Sequence, residues 1–125
     1  MSLPSAYEVA LLLVLNVDRY SQERGRGIAR ARVARKTLSE ISGRTTFRGA
    51  FIDALTEELD AIGWTLIGIP DGYAILEHQS LSGWTKISSS RIAPEINGLR
   101  QGKISSDRIE HLLSERLQAT DDDGE

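Results

Sequence analysis

The sequence predicts an α+β fold, and three observations point to it. Residues 28–62 repeat apolar side chains at intervals of three and four, the spacing of a helix face. Residues 64–78 hold two β-rich runs joined by Pro70-Asp71-Gly72, which is a hairpin signal. From Ser106 onward the helical spacing returns with Ile109, Leu112, Leu113 and Leu117.

Taken in order, Pro4 stands where a first helical residue would, after Ser2, and the run from Ala6 to Val17 is apolar on nearly every side. A helix of that kind is buried by its own domain or by a partner subunit, so a homodimer is expected. Ser21 to Gly27 sets two glycines among charges and reads as a loop. Residues 28–42 then form one expected helix, with Ile28, Ala31, Ala34, Leu38 and Ile41 on its apolar stripe and Gly43 as its C-cap. Thr46 is the expected N-cap of the next helix, in which Phe47, Phe51, Leu55, Leu59 and Ile62 face the core before Gly63. The hairpin strands are Trp64–Ile69 and Tyr73–His78, and Trp84–Ile87 is expected as a third strand. A short helix is expected near Pro94, and Ser106 is the expected N-cap of the last helix. The expected organisation is one domain over residues 1–120, with an acidic, disordered tail at 121–125.

The chain has 125 residues, 15 Lys and Arg against 18 Asp and Glu, and a formal net charge of −3. With no cysteine, disulfide frameworks, thiolate metal sites and cysteine nucleophiles are excluded. Only His78 and His111 could serve a zinc site, which would need carboxylates to complete it, so no metal or other cofactor is expected. The longest apolar stretch, Val9–Leu15, falls far short of the roughly 20 residues that span a bilayer. A cytoplasmic protein with no membrane partner is expected.

The near-neutral total hides a strong asymmetry. Residues 19–48 contain nine Arg or Lys and two Glu, a balance of +7, which leaves −10 for the rest of the chain. Arginine suits phosphate, because its planar guanidinium donates two parallel hydrogen bonds to it.

Helix, basic helix, short Gly-containing turn, amphipathic helix and β-hairpin follow one another from Ile28 to about Ile87, an order that resembles the winged helix-turn-helix family. The resemblance implies a winged-helix-like α+β fold, in which the helices are followed by a β-hairpin or three-stranded meander and then a C-terminal helix. It further implies that Phe47–Ile62 is the recognition helix and that the hairpin at Pro70-Asp71-Gly72 is the wing. Carried over onto this chain, Arg44, Thr45, Thr46 and Arg48 stand where base edges are approached, and Arg30, Arg32, Arg35 and Lys36 stand where the DNA backbone is held. Asp53, Glu57, Glu58 and Asp60 farther along the helix repel phosphate, so only its N-terminal end enters a groove. Asp71 at the hairpin tip is acidic where a DNA-contacting wing would be basic.

The expected function is therefore that of a small transcriptional regulator, not an enzyme, bound as a dimer to double-stranded DNA. The competing class is a protein-binding module or a phage- or plasmid-type inhibitor acting through its charged surfaces, which an acidic pI near 5.4 favours. A metal-dependent nuclease ranks lower, because Asp71 in the turn and Glu77 up the strand stand about 20 Å apart at about 3.3 Å per residue. Trp64 and Trp84 are expected in the core or on a hairpin face, and His78 and His111 as structural or surface residues.

Overall fold

The computed structural model describes residues 2–123, with side chains described through Arg116. Two compact units divide the chain, residues 1–84 and 85–125. No helix among the described residues is long and apolar enough to cross a membrane.

The first unit opens with α1, Ala6–Arg24. Its N-cap is Ser5, with a reciprocal capping box: Glu8 N–H donates to Ser5 Oγ at 3.1 Å, and Ser5 N–H donates to Glu8 Oε1 at 2.9 Å. Those hydrogen bonds, the backbone one foremost, hold the Glu8 carboxyl below its ordinary pKa. The helix thus starts later than Ser2 and Pro4 suggest, because Ser5 and Glu8 have the three-residue spacing that the box requires. It also runs through Ser21–Arg24, expected as loop, and ends where Arg26 N–H reaches Ser21 O and Gly25 N–H reaches Gln22 O, a Schellman pattern. Only one face of α1 is buried, through Val9, Ala10, Leu13 and Val17. Tyr7, Leu11, Leu12 and Leu15 are 41 to 50% exposed, so this unit covers half of the apolar run and leaves the other half bare.

The second element corrects the sequence expectation. Residues 28–42 are not one helix: β1 spans Arg30–Ala34 and α2 spans Arg35–Ser42. Arg30-Ala31-Arg32-Val33-Ala34 also satisfies the two-residue period of a strand, with Val33 buried and Arg30 and Arg32 exposed. The open edge of the hairpin decides between the two periods, because β1 completes five antiparallel pairs there, from Arg30 with Leu76 to Ala34 with Gly72. Gly43 ends α2 as expected, at φ 72°.

α3, Gly49–Ala61, begins after Phe47 rather than at it, with Arg48 as N-cap. Phe47 serves instead as a bracket before the helix: its ring lies 6.4 Å from Phe51 and 6.0 Å, edge-on, from Tyr73. β2, Trp64–Ile69, and β3, Gly72–Glu77, form the expected hairpin, giving a sheet of order β1-β3-β2. The third strand is β1; the 84–87 segment expected as a strand forms neither helix nor strand, and Ile87 is exposed. Leu38, Leu55, Leu59, Trp64 and Ile75 close the core against the buried face of α1. A single turn, α4, His78–Leu81, follows β3. There His78 Nε2 lies 2.8 Å from Thr65 Oγ1 and 3.4 Å from Asp60 Oδ1, tying the end of α3 to the sheet.

The second unit contains α5, Ala93–Arg100, with Pro94 in its first turn, and α6, Ser106–Asp123. Ile104 packs against Gly98, and His111 pairs with Glu115 one turn on at 3.0 Å. The Leu117 side chain and, from the expected acidic tail, Gly124 and Glu125 lie outside the described residues.

Candidate nucleic-acid interface

The β1-to-α2 junction and the α2-to-α3 turn meet around Phe47. The Arg35 guanidinium lies 5.0 Å from the centre of the Phe47 ring, Arg48 follows Phe47 directly, and Tyr73 closes the ring from the sheet side. Arg32 lies on β1 opposite Ala74, three residues before Arg35. Arg35 and Arg48 thus flank Phe47 beside the exposed Thr45 and Thr46; Lys36 follows Arg35 directly, and Arg32 projects from the face of β1 opposite to Val33 and Tyr73.

All four of these cations are exposed, and none has a carboxylate partner among the described residues. Two helices begin beside these residues, α2 after Ala34 and α3 after Arg48, and neither receives a side-chain cap. Their first-turn N–H groups need partners, and an anion suits both those donors and the positive end of the helix dipole.

Arg44 stands apart from this group. Its guanidinium lies 4.1 Å over the Phe51 ring and donates to Pro4 O at 2.9 Å and to Ser42 O at 3.1 Å. Both bonds come from Nη1, so Arg44 pins the chain before α1 to the α2–α3 turn and its guanidinium is held against the Phe51 ring. Arg30 is exposed two residues before Arg32 on the same face of β1, opposite Leu76; the two border one cleft, and Arg30 borders a second cleft as well.

Most acidic residues stand away from the cations, but Asp71 borders the same cleft as Arg30 and Arg32. Asp53, Glu57 and Asp60 are exposed on α3 beyond its first turn, and Asp71 is exposed at the hairpin tip. No group of three or more His, Asp or Glu side chains able to hold a metal ion occurs among the described residues.

The sequence places Arg26 in a charged loop of the basic segment without a role, and Trp84 in the core or on a hairpin face. Trp64 is buried as expected, whereas Trp84 is 54% exposed. The signal that could have separated them is context: Trp64 begins a run of β-formers, whereas Trp84 sits between Ser82-Gly83 and Thr85-Lys86 with no alternating pattern to bury it. No family model, no curated protein and no solved structure matches this chain.

Proposed function

We propose that the first unit is a winged-helix-like module of a small transcriptional regulator that binds duplex DNA through Arg32, Arg35, Lys36 and Arg48. The carrying observation is that Arg35 and Arg48, exposed and without carboxylate partners among the described residues, stand where two uncapped helices begin, with Lys36 and Arg32 within three residues of Arg35. The order of helix, turn, helix and hairpin, with β1 joined to β3, supports the same reading. Phosphate oxygens would satisfy the first-turn N–H groups while the guanidinium groups neutralise the backbone charge. The carboxylates of α3 repel phosphate, which restricts the approach to the N-terminal end of that helix, where Thr45, Thr46 and Arg48 are exposed.

Four phosphate contacts give a salt slope of about −3.6, so affinity for duplex DNA should fall about a hundredfold between about 50 and 200 mM salt. Fluorescence anisotropy with a labelled random-sequence duplex measures this. Absence of binding at the lower salt removes the reading and turns attention to a protein partner for the acidic α3 face.

The bare face of α1 fits a second copy of the chain. Antiparallel pairing of two α1 helices sets Leu12 of each copy at the level of Leu15 of the other, and Glu8 at the level of the exposed Arg19. Light scattering should therefore find a dimer that Leu12→Glu with Leu15→Glu converts to a folded monomer; a monomeric wild type rules the pairing out.

A further inference from the structure

Trp84 closes the first unit with a fixed backbone and a bare side chain. Its N–H donates to Leu81 O at 3.1 Å, and Ser82 Oγ, two residues earlier, donates to Gln79 O at 2.9 Å. No guanidinium covers the indole face, and the ring N–H has no partner among the described residues. A tryptophan left this open forgoes most of the burial that its area could supply.

The indole borders a cavity of about 460 Å³ that it shares with Arg26, Arg30, Ser80 and the 27–29 segment. The Arg26 and Arg30 side chains have no hydrogen bond or ion pair among the described residues. The volume falls within the range of roughly 300–1,000 Å³ typical of small-molecule sites. A flat apolar ring beside two free guanidinium groups matches one chemistry in particular, an aromatic base carrying a phosphate. The ring accepts the base by stacking, and the guanidinium groups take the phosphate oxygens in pairs. A simple anion would leave the indole unused, and an uncharged aromatic compound would leave both arginines unused.

We propose that Arg26, Arg30 and Trp84 form a site for an unpaired nucleotide, with its base on the indole and its phosphate between the two guanidinium groups. The nucleotide arrives either free or as part of a single strand. The site shares no residue with the four cations assigned to duplex DNA, so each assignment can fail without the other.

Tryptophan emission of the full chain reports on the site, because the buried Trp64 provides a constant background. Adenosine monophosphate and a single-stranded thymidine hexanucleotide serve as the two probes, with adenosine as the phosphate-free control. Saturable quenching by the mononucleotide identifies a free nucleotide as the ligand, and saturable quenching by the hexanucleotide alone identifies a strand. In either case Trp84→Ala should abolish the response, and Arg26→Ala with Arg30→Ala should weaken binding tenfold or more. All three side chains border solvent, and circular dichroism checks that the variants fold. The assignment is overturned if neither probe quenches at millimolar concentration, if quenching survives in Trp84→Ala, or if adenosine matches the mononucleotide and the arginine variants bind unchanged.

Discussion

Gly72→Ala is expected to destabilise the first unit by about 2 to 4 kcal/mol. Gly72 begins β3 at φ 153°, a backbone conformation that L-residues rarely adopt. An added Cβ would stand 2.6 Å from Val33 O, 3.1 Å from Arg35 N and 3.2 Å from Ala34 Cα. These are backbone atoms of the β1–α2 junction, so no side chain can swing aside to make room. Relief would require β1 to move away from β3, which would break the register that pairs Ala34 with Gly72 and Arg32 with Ala74. Urea unfolding should show the midpoint fall by about 1 to 2 M with little change in slope, taking a slope near 2 kcal/mol/M. Gly68→Ala is the control, since Gly68 has nothing within 4 Å of an added Cβ and no positive φ. Equal midpoints for the two variants would mean that the junction is looser than its geometry indicates. Because the same junction sets the direction of Arg35, Gly72→Ala should also weaken DNA binding under conditions where most of the protein is still folded.

That junction is also where the sequence was hardest to read. Ile28, Ala31, Ala34, Leu38 and Ile41 fit a helix, while Ala31 and Val33 between Arg30, Arg32 and Ala34 fit a strand; nothing local chooses between them. The choice is made some 40 residues away, where the hairpin offers β3 as an unpaired edge. The hairpin itself was legible because Pro70-Asp71-Gly72 imposes its turn through local backbone geometry. The helical stripe through Phe51, Leu55, Leu59 and Ile62 was legible for the same kind of reason. Exposure was not legible in this way. Leu11 and Leu13 are alike as residues, yet only Leu13 faces the core, and periodicity cannot separate two faces when both are apolar. Arg44 and Arg48 likewise read as equivalent cations, until Phe51, Pro4 and Ser42 are seen to hold one of them.

The difference between those two arginines leads to the second large effect. Reversing Arg32, Arg35, Lys36 and Arg48 to Glu should abolish measurable duplex binding and reduce the salt slope from about −3.6 to near zero, because each lost phosphate contact removes about 0.9 from it. The four side chains are exposed and have no carboxylate partners among the described residues, and the Arg35 contact with the Phe47 ring is worth only about 0.5–1 kcal/mol at an exposed site, so the reversed protein should keep its fold. Arg44→Ala should do the opposite: lose the stacking on Phe51 and two hydrogen bonds to carbonyls, lower the unfolding midpoint, and leave the salt slope of the folded fraction unchanged. Asp53→Asn with Glu57→Gln adds a test of sign, since removing negative charge from α3 should strengthen duplex binding if DNA approaches the N-terminal end of that helix. Anisotropy titrations of the three variants at two salt concentrations, with circular dichroism as a check on folding, separate these effects. If reversal of the four cations leaves duplex affinity intact, DNA does not bind at this end. If neutralising Asp53 and Glu57 instead abolishes capture of a cationic partner while duplex binding stays absent throughout, the working surface is the acidic face of α3 and the free cations serve solubility.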